Sequence, residues 1–339
     1  MKKKHLMLLI SIISLIVMAA CGKSEAVSNE GGSGGKNKYK ITINNGLQED
    51  SSMHEGLMRF KEVAEEKSNG QLQIEVFSGA TLYASDREAI EAVQNGNIEM
   101  TVPPTAALAG FSKDFMVLDS LFLFDEVENA RAALDGELGE QLLDTLPPLG
   151  LRGLSWGEAG MRQITNNKGP IEKVEDLKGL KFRVQENPLH IDSFNELGAN
   201  ASPFAYGEVY SALQQNVFNA METPLNLIDK DHFYEVQDYL TISNHVYTGE
   251  VLLINDNFFT GLPEELQKAL TEAAETFTEY QRPLAFEEVK DSYDVVSDHM
   301  EINELSSDQK KEFVEQLAPV YEKYKAEFGD LLELAQSYN

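Results

Sequence analysis

Apolar and polar residues change their spacing repeatedly along this chain, and each change marks an element. Tyr39-Lys-Ile-Thr-Ile43 alternates with period two and predicts a first strand, ending at Asn44-Asn45-Gly46. Met53, Leu57, Phe60 and Val63-Ala64 recur at helical spacing, and Gly70 fits a stop. Leu72, Ile74 and Val76 alternate again as a second strand. Ser85 with Glu88 predicts a capping box for the next helix, which Gly96 ends, and Ile98 to Val102 reads as a third strand. Strand, helix, strand, helix, strand predicts a parallel α/β unit. Phe115 to Phe124 reads as a buried segment, Ala130 to Leu143 as a helix, and Leu151 to Trp156 as the start of a strand leading into Gly160-Met-Arg162. A second α/β unit then runs to about His245, and Val251 to Ile254 reads as a buried strand returning to the first domain. Pro263 opens a long helix with a stripe at Leu266, Leu270, Ala273, Phe277, Tyr280 and Leu284, and Pro283 predicts a kink. The remaining helices, Ser307 to Leu334 among them, are expected to cap the second domain.

The stretch from Gly179 to Pro224 organises the rest. Leu180, Phe182 and Val184 alternate with Lys181 and Arg183, so Arg183 falls near a strand end on the face its apolar neighbours avoid. In open α/β sheets, ligands bind beyond the carboxyl ends of strands. An arginine placed there can grip a carboxylate with a two-pronged fork.

Composition narrows the classes. The chain has 339 residues, 42% hydrophobic, enough for two domains of ordinary size. A net charge of −28 argues against nucleic-acid binding, because phosphate backbones need Lys and Arg. An anionic ligand would need local positive charge against that field, and Arg152, Arg162 and Arg183 fall within one short span. The one cysteine, Cys21, excludes an internal disulfide. Met1-Lys-Lys-Lys4 is a basic start, Leu6 to Met18 an apolar run, and Ala19-Ala20-Cys21 a small-residue cleavage site. The run is too short for a confident membrane span. Residues 1–20 are thus expected to be a lipoprotein signal peptide, with residues 21–38 a lipidated Cys21 and a flexible linker carrying Gly31-Gly-Ser-Gly-Gly35. Loss of Lys2, Lys3 and Lys4 would take the net charge from −28 to −31.

Catalytic and metal patterns are thin. Gly153-Leu-Ser-Trp-Gly157 matches the nucleophile elbow of α/β-hydrolases, which makes a secreted serine hydrolase using Ser155 the alternative from another class. An elbow needs a helix directly after the serine, and Gly157-Glu-Ala-Gly160 does not read as one. No two of the six histidines have metal-pair spacing, and neither a P-loop nor a G-x-G-x-x-G fingerprint occurs, so no metal or cofactor is expected. His245 is expected to support a site from behind.

Asp176-Leu-Lys-Gly-Leu-Lys-Phe-Arg-Val184, Gly207-Glu-Val-Tyr-Ser-Ala-Leu-Gln214 and Phe233-Tyr-Glu-Val-Gln237 resemble, in order and spacing, the motifs of TRAP-type solute-binding proteins, the DctP family. The likeness extends through Gly160-Met-Arg-Gln-Ile-Thr165 and Asn244-His245. It implies a two-domain, periplasmic-binding-protein-like α/β fold with a cleft between domains and a long bridging helix. Domain I would comprise residues 39–159 plus 248–290, and domain II residues 160–247 plus 291–339. It implies a small organic acid as ligand, membrane subunits of a tripartite ATP-independent transporter as partner, and no enzymatic activity. The protein would be a monomer, lipid-anchored on the outer face of the cytoplasmic membrane. Carried over residue by residue, Arg183 makes the main carboxylate contact, Arg162 assists, and Tyr206 closes over the ligand. Thr223 stands, after Glu222, where the family usually has Asn. Trp156 is expected near the cleft and Asn45 at its first-domain wall, with the Pro103-Pro104-Thr105 loop making that wall less polar. C4-dicarboxylates, sugar acids, 2-oxo acids and sialic acid all present a carboxylate to the same arginine. A receptor for another importer or a sensor is the alternative within binding proteins.

Overall fold

The computed structural model describes residues 37–339. The leader, Cys21 and nearly all of the linker lie outside the described residues.

The first unit follows the predicted order: β1 (Tyr39–Asn44), α1 (Ser52–Lys67), β2 (Leu72–Phe77), α2 (Asp86–Gln94) and β3 (Met100–Thr101). β1 pairs in parallel with β2 and β3. The stripe Met53, Leu57, Phe60, Val63 and Ala64 is the buried face of α1. The capping box at Ser85 does not form: Ser85 occupies the N-cap of α2 but makes no cap bond, and its hydroxyl reaches Glu186 at 3.0 Å instead. After α3 (Thr105–Leu108), the expected buried segment is a tight 3-10 turn at Lys113–Asp119. The helix expected over 130–143 is two, α4 (Val127–Asp135) and α5 (Glu137–Asp144). Extended Gly136 separates them, and a Cβ there would meet the Tyr338 hydroxyl at 2.4 Å.

β4 (Leu151–Asn166) is the spine of the molecule. The second unit follows it as β5 (Lys181–Val184), α6 (Pro188–Glu196), β6 (Asn200–Pro203), α7 (Val209–Gln214), β7 (Ala220–Pro224), α8 (Leu225–Lys230) and β8 (Tyr239–Ile242). β9 (Tyr247–Asn255) then returns to the first sheet, pairing antiparallel with β3 and with the first part of β4. The last part of β4 pairs antiparallel with β7 on one side and β8 on the other. The strand order is β2-β1-β3-β9-β4-β7-β5-β6, so one strand belongs to both halves of a mixed sheet. The register slips between Glu158 and Gly160, a bulge with Gly160 at φ +102°, where β4 leaves the first half for the second. A two-domain α/β fold results, with β4 and β9 inserted antiparallel among otherwise parallel strands.

After α9 (Asp256–Gly261), α10 (Glu264–Ser297) runs for 34 residues through Pro283 and along both halves, packing on α1, β4 and α8. Its buried stripe holds as far as Phe277 and then turns to Gln281, Arg282 and Ala285, leaving Tyr280 exposed. The Gln281 amide clasps the bulge: its Nε2 donates to Glu158 O at 2.8 Å, and its Oε1 accepts from Glu158 N at 3.0 Å. β10 (Glu301–Glu304) pairs with β8. The helices α11 (Ser307–Gln316), α12 (Ala318–Phe328) and α13 (Asp330–Gln336) do more than cap the second unit. α12 packs on α6 and on the Lys113–Asp119 turn, α13 packs on that turn and on α5, and Asn339 donates to Leu123 O at 2.6 Å. One apolar cluster accordingly runs from Phe115 and Trp156 through Phe182 and Phe194 to Phe313 and Phe328.

The α1–α10 contact depends on Gly56, where a Cβ would stand 2.8 Å from Gln281 Cβ and Cγ and 3.0 Å from the Phe277 ring. Gln281 is buried and bonded to the bulge, so it has nowhere to move. Gly56→Ala is expected to lower the unfolding free energy by about 1–2 kcal/mol in urea titration. Overpacking outweighs the ~1 kcal/mol of helix propensity that alanine adds.

Candidate functional site

A cleft lies where the two halves face each other. The first half supplies Gly46 and Leu47 after β1, Asp86 at the start of α2, Val102, Pro104 and Ala107. The second supplies Arg183 and Gln185 at the end of β5, Phe204, Tyr206 and Thr223. β4 adds Ala159 and Arg162, and β9 adds Thr248 and Glu250. The cleft is nearly closed, with about 40 Å³ open to a water-sized sphere.

Arg162 and Arg183 are both buried but play different parts. Arg162 is committed: its Nε and Nη2 meet the Glu222 carboxylate, Nη2 also donates to Glu222 O at 2.7 Å, and Nη1 donates to Thr248 Oγ1 at 3.1 Å. Burial alone would raise Glu222. The Arg162 charge and hydrogen bonds from His245 and Arg162 instead hold it well below the usual carboxylate range. His245 backs this pair, with Nε2 3.4 Å from Glu222 and Nδ1 2.8 Å from Ser243 Oγ, and burial lowers it too. Arg183 is not paired with any acid among the described residues. Its Nε and Nη2 donate to Phe204 O at 3.0 and 2.8 Å, and its Nη1 is buried without a partner. Burial lowers it to about 10, so it remains cationic at neutral pH. Tyr206 lies with its ring centroid 5.7 Å from the Arg183 guanidinium, and its hydroxyl donates to Asp231. Arg183 is 2% exposed, with the Phe204 carbonyl taking two of its donors and the Tyr206 ring beside its guanidinium.

Other polar atoms in the lining are also unsatisfied. Thr223 Oγ1, Gln185 Oε1 and Glu250 Oε2 are buried without partners. Asp86, half-buried, has no hydrogen bond among the described residues. Burial pushes Glu250 up to about 8, with Asp86 adding to the rise and Arg162 opposing it; burial pushes Asp86 up to about 6. Sequence reasoning missed these two carboxyls and expected a less polar first-half wall. The Val102, Pro104 and Ala107 portion is apolar, but Asp86 and Glu250 interrupt it.

Bonds cross the mouth of the cleft. Gln48 Nε2 donates to Asp231 at 2.8 Å, Gly207 N to Ala84 O at 3.2 Å, and Ser85 Oγ to Glu186 at 3.0 Å. Glu288 on α10 accepts from Ser52 of α1 and from Asn226 of α8. The halves are drawn together.

Of the residues expected from sequence, Arg183, Arg162, Tyr206 and Thr223 meet in the cleft. Glu222 lies behind it as the Arg162 counter-ion, fully buried. Trp156 is core, packed on Phe115 at 6.2 Å, and is not in the lining because its side chain points away from the cleft side of β4. Asn45 holds the wall from behind, bonding Leu47 and Ser78. Ser155 sits inside continuous β4, and its hydroxyl is buried without a partner, so the strand–turn–helix of a nucleophile elbow is not formed. Among the described residues no cluster of His, Cys, Asp or Glu is placed to hold a metal, and no helix is long and apolar enough to cross a membrane.

Two sheet halves joined by shared strands and a spanning helix, with a charged cleft between them, define a two-lobed solute receptor. The chain belongs to the family described as bacterial extracellular solute-binding protein, family 7, which matches residues 43–327. It is 35% identical over 283 residues to the C4-dicarboxylate-binding protein DctB of Bacillus subtilis, spanning 81% of each chain. It is also 35% identical over 237 residues to the 2,3-diketo-L-gulonate-binding periplasmic protein YiaO of Escherichia coli, spanning 70% of this chain and 72% of that one. Among solved structures it resembles the sugar acid binding protein DctPAm of Advenella mimigardefordensis in complex with galactonate. The TM-score is 0.86 at 34% identity, covering 89% of this chain and 99% of that one.

The Arg162–Glu222 pair makes a prediction about stability. Glu222→Gln leaves a buried guanidinium without its counter-charge, at a cost of about 3–5 kcal/mol. The Glu222 pKa is depressed in the folded state. Its contribution is therefore present above the unfolded value of 4.5 and lost as pH falls below it. Denaturant titrations from pH 7 down to pH 3 should show the gap between wild type and Glu222→Gln narrowing toward acid.

Proposed function

We propose that this protein is an extracytoplasmic receptor that captures a small organic acid and delivers it to a tripartite ATP-independent membrane transporter. One observation carries the reading: Arg183 is a buried cation with a free Nη1 in an enclosed cleft, while the neighbouring Arg162 is already neutralised by Glu222. A carboxylate is the partner that such a fork recognises. Thr223 Oγ1 is a second donor for it, and Tyr206 closes the wall beside it. Family membership supports the transport role, and the receptor does no chemistry on its ligand.

The lobes we propose are residues 39–159 plus 248–290 and residues 160–247 plus 291–339, hinging where β4, β9 and α10 pass between them. The receptor acts as a monomer. The basic start, the apolar run and Ala19-Ala20-Cys21 support removal of the leader and a lipid on Cys21, which tethers the protein to the outer face of the cytoplasmic membrane.

Arg183→Ala is expected to weaken binding of a carboxylate ligand about 30- to several-thousand-fold, since it leaves a desolvated anion unpaired. Arg183→Lys also binds poorly, because an ammonium cannot reproduce the fork. Calorimetric titration measures both; near-wild-type affinity in folded Arg183→Ala removes the reading. The Phe204 carbonyl loses its side-chain donor as well, so thermal unfolding should show a stability loss of about 1 kcal/mol. Cys21→Ala should move the protein from the membrane fraction to the soluble fraction of expressing cells. A variant that fractionates as the wild type does would exclude the anchor.

A further inference from the structure

The relatives named above include binders of a dicarboxylate and of sugar acids, so kinship leaves the ligand class open. The hydrogen-bonding inventory of the cleft narrows it. Two donors in the lining suit a carboxylate: the free Nη1 of Arg183 and the Thr223 hydroxyl. Arg162 adds little net charge there, because Glu222 neutralises it within the same shell of buried side chains. One uncompensated cation thus faces the ligand.

The rest of the lining has the opposite character. Glu250 is buried on β9 with Oε2 unpartnered, although that strand otherwise runs as Val251-Leu-Leu-Ile254 through the core. Asp86 opens the first turn of α2 and lines the cleft beside Gly46, its side chain with no hydrogen-bond partner among the described residues. Gln185 Oε1 is a third buried, unpartnered acceptor in the same lining. A buried polar atom left without a partner costs free energy, so this set is built for a molecule that satisfies it.

We propose that Asp86 and Glu250 are specificity-determining residues that commit this cleft to a monocarboxylate carrying several hydroxyl groups, and that they exclude dicarboxylates. The proposal rests on the carboxylate reading of Arg183 given above. Hydroxyls suit this lining because each donates to an acceptor and accepts in return from a protonated acid. Glu250 supplies such an acid, since burial beside Asp86 keeps it protonated through neutral pH; Arg162, Arg183 and Glu186 are the other charged groups in the lining. A second ligand carboxylate in this lining would meet the negative charge of Asp86 in a partly desolvated site. An α-amino acid fits no better. Its ammonium lies beside its own carboxylate and would fall at the guanidinium end, next to Arg183.

The test is calorimetric titration of the full-length mature protein at pH 7 with D-gluconate, D-glucuronate, succinate and L-alanine, repeated with Asp86→Asn and Glu250→Leu. Wild type should bind gluconate or glucuronate at least tenfold tighter than succinate or alanine. In Asp86→Asn that preference over succinate should shrink at least tenfold, largely because succinate gains affinity once the opposing charge is gone; in Glu250→Leu it should shrink likewise, because the hydroxy acids lose a hydrogen-bonding partner that succinate does not need. A merely structural role would lower affinity for all acids together and leave the ratio unchanged, and that result overturns the proposal. Succinate or alanine binding as tightly as the hydroxy acids to wild type overturns it too, while leaving the receptor reading intact. If none of the four acids binds, the carboxylate reading and this proposal fall together.

Discussion

The buried pair of Arg162 and Glu222 is the constraint on which the cleft depends. It joins β4 to β7 at the point where β4 passes from one half of the sheet to the other, with Ile164 opposite Glu222 and Arg162 opposite Pro224. Such a pair contributes little net stability compared with well-packed apolar residues, because both ions lose their hydration. Its value lies in what it fixes. It spends the charge of one arginine inside the protein, while the second, Arg183, keeps an unpartnered Nη1. His245 and Ser243 extend the pair backwards, and Thr248 extends it to β9, so that the strands shared by the two halves meet in one polar knot. The apolar cluster running through Phe182 and Phe194 surrounds that knot and keeps water from screening it.

Much of the fold was legible in the sequence because its signals are local. Period two at Tyr39 to Ile43 and the stripe of α1 survive into the structure nearly residue for residue. Arg183 could be located because strand alternation gives a face and the surrounding motif gives a role. Its burial could not, because that comes with Phe204 and Tyr206, about twenty residues further on, which no local pattern encodes. The same holds for Trp156, whose ring packs on Phe115, a residue about forty positions earlier in the chain. The capping box at Ser85 is a fair local inference that lost to a partner about a hundred residues away, Glu186.

The two carboxyls were missed for different reasons. Asp86 lies inside what reads as an ordinary acidic first turn, and nothing nearby distinguishes it from Glu88. Glu250 did leave a signal. A lone carboxylate between Val246-Tyr-Thr-Gly249 and Val251-Leu-Leu-Ile254, in a strand buried along its whole length, has no solvated face to occupy. Such a residue needs either a partner or a proton, and asking which would have pointed to the site.

Ser85 and Asp86 are adjacent in the chain, yet one clasps the far lobe and the other lines the pocket. The side chain that bridges the lobes and the side chain that lines the pocket thus hang from consecutive residues at the start of one helix, so that a shift of that helix start moves both at once.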